Sequence, residues 1–291
     1  MFSHALKIAM QYTLPVMSSR RLESGAVECG MASFIVLNSD GWILTAAHVI
    51  RDLITFQEHI KEKREYDDRV KALTSNTKLS ASQRRKQIKR LVKNNSWIVN
   101  HSLLWGAPGS RVREFHADGP ADIAIGKLEP FEQSDFPVCA TFKDPSQAMP
   151  TGTSLCRLGF PFYQINADFD EGAGVFRMDG SLFPVPFFPN EGIHTRLSVR
   201  VHPQSGRKVT FVETSSPGLK GQSGGPILDR DGAVWALQSH TMHLPLGFSP
   251  QIKEKGKVLT EHQFMHVGYG THVQEIINLL EQHKVAYTLS K

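Results

Sequence analysis

Ser223 lies in the string Gly218-Leu-Lys-Gly-Gln-Ser-Gly-Gly-Pro-Ile227, where four glycines and a proline surround one hydroxyl. Glycine has no Cβ, so such a string turns tightly and bares its N–H groups. A hydroxyl acts as an acyl-transfer nucleophile when a base takes its proton, a carboxylate orients that base, and donors meet the oxyanion. His48, closing the run WILTAAH, offers the imidazole at the edge of a strand. Asp122, opening DIAIGKL just after the breaker Gly119-Pro120, offers the carboxylate that can fix the tautomer. The N–H groups of Gly221 and Ser223 are the natural oxyanion donors.

These residues need a frame that brings distant segments together. The chain has 291 residues, 40% of them hydrophobic and 21% charged, enough to bury a full core as one large all-β domain or two small ones. Short apolar runs recur from residue 25 onward and are broken by Gly, Pro and Asp. The pair MASFIVL and WILTAAHVI flanks Asn38-Ser-Asp-Gly41, a hairpin signal. The pattern predicts a mainly antiparallel all-β protein, sandwich or barrel. The opening segment MFSHALKIAMQYTLPVM is interrupted by Lys7 and Gln11 and lacks a basic leader or cleavage site, so it reads as folded chain and a first strand.

Two segments depart from the β pattern. Between 51 and 96, Leu53, Ile54, Phe56 and Ile60, then Tyr66, Val70 and Leu73, fall at helical spacing. Ser80-Ala-Ser-Gln83 is a capping-box signature before a second helix with Ile88, Leu91 and Val92 on one face. THVQEIINLLEQHK, from Thr271, reads as a closing amphipathic helix. Residues 51–96 hold thirteen Lys and Arg against six Asp and Glu, a local charge of +7 in a chain whose total is +5. A regulatory protein or another anionic partner, nucleic acid or a membrane surface included, fits these helices, and so does a simply solvated face. No aromatic residue interleaves 78–93, which argues against stacking on single-stranded nucleic acid.

Cys29, Cys139 and Cys156 are far apart, odd in number and set among apolar residues, so buried thiols in a reducing cytoplasm are expected rather than a disulfide frame or a zinc site. No metal or cofactor is expected. No run of 18 apolar residues exists to form a transmembrane segment.

Taken together, TAAH, DIAIGKL and GQSGGP in the order His, Asp, Ser resemble the trypsin/chymotrypsin-like serine peptidases. The resemblance runs from about Ala26 to His283 outside the helical insertion. GMASFIVLNSDGWILTAAHVI, PSQAMPTGTSLCRLGFPF and VTFVETSSPGLKGQSGGPILDRDGAVWALQS are most similar to the bacterial trypsin-like and HtrA-type branch. The resemblance implies an all-β, double six-stranded antiparallel β-barrel with an inserted helical hairpin and a C-terminal helix. The expected organisation is a single peptidase domain over 1–291: a first barrel over about 1–145 containing the insertion 51–96, a second over about 146–270, and a closing helix at 271–284. No PDZ-like domain is expected after that helix.

The same resemblance implies an endopeptidase that forms an acyl-enzyme on Ser223, with His48 as base then acid, Asp122 as orienter, and protein or peptide substrates. Two departures bear on regulation. Digestive members carry aspartate before the serine, to pair with a freed N-terminal amine, whereas Gln222 is neutral and can hold its loop only through neutral hydrogen bonds. Val49 follows His48, so the disulfide flanking that histidine in secreted relatives is missing.

By offset from Ser223, Ser216 and Pro217 are expected at the base of the substrate pocket, and Gln238, Ser239 and His240 along its wall, Ser239 pairing with an extended substrate. No acidic residue stands at that base, so a small or medium apolar residue is expected before the scissile bond (P1), with an acidic one the alternative if His240 and His243 face the pocket. The Phe- and Pro-rich segment 181–192 is read as a lid, a docking surface or a loop packed on its own barrel. Other functions stay open: a latent or non-catalytic peptide-binding or chaperone module, and a nucleic-acid-associated regulator acting through the basic helices.

Overall fold

The opening segment is folded and contains the expected first strand only at its end: α1 spans Ser3–Tyr12, and β1 (Thr13–Leu22) follows without a break. Ala5, Ala9 and Tyr12 are the buried positions of α1, so a 3–4 spacing of small and aromatic residues decides the element. The computed structural model describes residues 1–107, 109–178, 184–254 and 257–290.

The first sheet is completed by β2 (Val27–Val36), β3 (Trp42–Thr45), β4 (Ile98–Trp105), β5 (Arg111–Asp118) and β6 (Ile123–Glu129), in the order β4-β1-β2-β3-β6-β5. Asn38-Ser-Asp-Gly41 is the turn between β2 and β3, as its sequence predicts. The apolar runs FIV, WIL and IAI put Phe34, Ile35, Ile43, Leu44, Ile123 and Ile125 at the centre, each fully buried.

The second half contributes β7 (Thr141–Phe142), β8 (Ser154–Arg157), the hairpin β9 (Ala167–Asp170) and β10 (Val175–Met178), β11 (Asn190–Val201), β12 (Lys208–Thr214), β13 (Pro226–Leu228) and β14 (Val234–Pro245). A small hairpin, β15 (Gln251–Glu254) and β16 (Lys257–Thr260), then precedes β17 (Phe264–His272) and β18 (Thr288–Leu289). Strands β13, β8, β11, β12, β17 and β14 pair in a ring, because β14 also pairs with β13. The expected pair of closed six-stranded barrels is thus met in part: the second sheet closes, whereas β4 and β5 remain the edges of the first.

The insertion forms α2 (Ala47–Ser75) and α3 (Ala81–Arg90). The first helix starts four residues earlier than expected, so His48 is its second residue. It is fastened to the first sheet: Arg20 pairs with Asp52 at 2.9 Å, Trp97 Nε1 donates to Glu62 at 2.8 Å, and the Ile98 N–H donates to His59 Nδ1 at 2.9 Å. The capping box forms as expected, with the Gln83 N–H donating to Ser80 Oγ at 3.2 Å and the Ser80 N–H to Gln83 Oε1 at 2.9 Å. Because α3 ends at Arg90, Val92 lies beyond it and is exposed rather than on its face. The closing helix α4 spans Val273–Gln282 after β17 has taken up Thr271. No helix among the described residues is long and apolar enough to cross a membrane.

Arg207, in the turn between β11 and β12, reaches both halves of the molecule. Its guanidinium pairs with Asp118 at the end of β5 and donates to Glu275 of α4 at 2.7 Å, while the Thr210 N–H donates to the same Glu275 carboxylate at 3.0 Å. Glu275 is buried, so losing Arg207 strips a buried charge of its counter-ion. Arg207→Ala is expected to destabilise the fold by about 1–3 kcal/mol, the range being discounted because Arg207 is partly solvated, and denaturant unfolding of the two proteins measures it.

Candidate active site

Where β3 ends, Ala46 is still extended and Ala47 opens α2, so the chain turns and projects His48 from the first helical turn. Asp122 sits immediately before β6 with φ +54°, a left-handed conformation that aspartate tolerates better than most residues. Its backbone is held on both sides, as the Asp122 N–H donates to Gly119 O and the Ala47 N–H donates to Asp122 O, each at 3.1 Å. The carboxylate accepts from the His48 N–H at 2.9 Å and lies 2.8 Å from His48 Nδ1. With Nδ1 donating, His48 Nε2 is left free to take a proton.

A third donor comes from the second barrel, where the Ser239 hydroxyl donates to Asp122 Oδ2 at 2.5 Å. Burial pushes the Asp122 carboxyl up, but the His48 hydrogen bond and charge, with Ser239 and the His48 N–H, outweigh it and hold the group below the ordinary carboxylate range. Ser239 is itself positioned. Arg200 Nη1 lies 3.2 Å from His240 Nε2, and a guanidinium can only donate, so Nε2 accepts and Nδ1 carries the hydrogen. That hydrogen points to Ser239 Oγ at 2.9 Å, leaving the serine proton for Asp122. Burial and then the Arg200 charge lower the His240 pKa, which keeps the ring neutral. His240 stacks on Tyr269 with centroids 5.2 Å apart, and the Arg200 guanidinium lies 4.4 Å from the same ring centroid. Arg200 carried no signal in the sequence, because its partners lie on other strands.

The loop bearing Ser223 is clamped against the first sheet. The Ser33 N–H donates to Ser223 O at 2.8 Å, Ser33 Oγ donates to Gly221 O at 2.8 Å, and the Phe160 N–H donates to the same oxygen at 3.0 Å. Gly221 has φ +102°, and Phe160 O occupies the space a Cβ would need. The N–H groups of Gly221 and Ser223 have no acceptor among the described residues. Gln222 is fully buried: its Oε1 accepts from the Leu219 N–H at 3.0 Å and its Nε2 donates to Phe188 O at 3.2 Å. Ser33 was missed as a sequence candidate, although a buried serine within an apolar strand is a visible clue. No hydrogen bond joins the Ser223 hydroxyl to His48 among the described residues, and such bonds commonly tighten only with substrate.

Beside Ser223 opens a cavity of about 430 Å³ whose lining includes Pro217, Gly218, Leu219, Gln238, Ser239 and His240. Of the five pocket residues expected from sequence, Ser216 alone is absent from the lining; its Oγ accepts from Arg157 behind it. His243 also lines the cavity, whereas both ring nitrogens of His240 are already engaged by Arg200 and Ser239. Residues 181–183 of the Phe- and Pro-rich segment lie outside the described residues. In the remainder, Phe187 packs on Phe160 with centroids 4.8 Å apart, and Phe188 meets Gln222 through its carbonyl.

A family model described as "Trypsin-like peptidase domain" matches residues 32–237. The fold is similar to the active form of the Rv3671c protease from M. tuberculosis, with a TM-score of 0.52 and 12% identity over 99% of this chain and 87% of that one. The inactive form of that protease gives 0.49 at 12% identity over 96% and 89%, and the HtrA-type protease AlgW with tripeptide gives 0.47 at 12% over 98% and 64%. No curated protein matches the chain by sequence. The matched span contains His48, Asp122 and Ser223, and on it the chain belongs to the trypsin-like peptidase family and is a serine endopeptidase.

Proposed function

We propose that this endopeptidase cleaves protein substrates through an acyl-enzyme on Ser223, with His48 as base then acid and Asp122 as its orienter. The observation that carries this reading is the donor chain from Arg200 through His240 and Ser239 to Asp122, which leaves the carboxylate one face for His48. In this mechanism His48 Nε2 takes the Ser223 proton as Oγ attacks the scissile carbonyl. The N–H groups of Gly221 and Ser223 meet the oxyanion, and the imidazolium is stabilised by Asp122 and then protonates the leaving amine. A second reading, a latent protease completed by a partner or ligand, draws on the missing bond between Ser223 and His48.

Regulation without N-terminal cleavage follows from Gln222, whose amide ties Leu219 to Phe188 and so braces the oxyanion loop with neutral bonds. The basic helices are the place for a regulatory protein or anionic partner, since α2 begins at the residue before His48 and a small shift of the base changes the rate strongly. Free thiols at Cys29, Cys139 and Cys156 support a cytoplasmic setting.

A fluorophosphonate serine probe is expected to label the chain and to fail on Ser223→Ala, while His48→Ala lowers turnover by roughly 10⁴–10⁶. Label that persists on Ser223→Ala refutes the nucleophile; label that appears only with added partners selects the latent reading. Cleavage near residue 25 is expected to leave the labelling rate unchanged, and a large rise would overturn the role given to Gln222. Arg200→Leu removes one positioning hydrogen bond worth about 1 kcal/mol, so kcat should fall by roughly fivefold with KM little altered, as steady-state kinetics would show.

A further inference from the structure

Behind the cavity beside Ser223 lies a cation without a counter-ion. Arg157, on β8, is 1% exposed, and among the described residues no carboxylate pairs with it. Its Nε donates to Gln238 Oε1 at 2.6 Å and its Nη1 to Ser216 Oγ at 2.8 Å, while Nη2 has no hydrogen-bond partner. Burial lowers its pKa to about 10, so it remains charged near neutral pH. An unpaired buried charge is costly, and proteins that keep one commonly use it.

Arg157 also decides which way Gln238 faces. With Oε1 committed to the guanidinium, Nε2 must turn the other way, where it donates to His240 O at 3.2 Å and lies against Gly218 in the cavity lining. Gly218 permits this approach, because the Gln238 amide fills the space a Cβ would occupy. The floor of the cavity thus presents an amide donor with a positive charge behind it. Lys220 places a cation in the lining itself, which includes no Asp or Glu among the described residues. Pro217 and Leu219 supply hydrocarbon wall above that floor.

The geometry points to a pocket for an acidic P1 side chain, glutamate in particular, whose methylenes pack on Pro217 and Leu219 and whose carboxylate meets Gln238 Nε2 backed by Arg157. This specificity rests on the peptidase reading only for the identity of the cavity as the P1 pocket. The sequence-based routes differ: an apolar P1 ignores the floor, and His240 serves Ser239 rather than the pocket.

Product-like acetylated peptides that end in Glu, Leu or Lys at a free C terminus test the assignment by calorimetry, since binding needs no turnover. The Glu peptide is expected to bind at least about tenfold more tightly than either of the others. In Gln238→Glu the new carboxylate pairs with Arg157, so the fold is kept and the Glu preference is lost; Arg157→Met should lose it as well. Equal or tighter binding of the Leu or Lys peptide to the natural chain overturns the assignment, as does a Glu preference that survives in Gln238→Glu. Absent serine labelling with an intact Glu preference would instead refute the catalytic reading alone.

Discussion

Asp122 is the point at which the two halves of this protein become one site. Its carboxylate gathers the His48 N–H and imidazole from the start of α2 and the Ser239 hydroxyl from β14, and its backbone oxygen receives Ala47. The left-handed backbone at this residue costs roughly 1–2 kcal/mol. Each hydrogen bond to a buried charge returns a comparable amount or more, so three of them outweigh the strain. The conformation persists because both halves of the molecule require it, as expected of strained positions at functional sites.

The loop bearing Ser223 depends on a similar bridge. Ser33 of β2 holds the carbonyls of Gly221 and Ser223 and so fixes the backbone of that loop against the first sheet. The positions of His48, Asp122 and the loop around Ser223 are therefore fixed by hydrogen bonds that cross between the sheets. Arg207 reinforces the junction at a distance from the cleft by joining β5 to α4. The basic insertion is tied to β1 and β4, and its first helix carries His48 in its first turn.

The buried polar groups divide into two sets with different logic. The chain through Arg200, His240, Ser239 and Asp122 is satisfied at each step, and such networks fix a single arrangement. The second joins Arg157 on β8 to Gln238, the neighbour of Ser239 on β14, and leaves one guanidinium nitrogen without a partner among the described residues. A satisfied network suits positioning, and an unfinished one suits recognition.

Much of the site was legible in the chain itself. Glycine spacing around Ser223, the run ending at His48 and the breaker before Asp122 are local signals, because tight turns and strand ends need particular residues. The capping box at Ser80 and the apolar stripe of α4 are local for the same reason, and both helices form close to where they were expected. The first helix was misjudged because its burial pattern depends on what α1 packs against. Arg157, Arg200 and Ser33 had no signature, since each acts on groups dozens of residues away in sequence. The sequence by itself determined which chemistry the chain carries, through residue types whose conformational needs are local. Only the tertiary structure decided which way the donors point and where a buried charge goes unpaired, because those depend on strand pairings between distant segments.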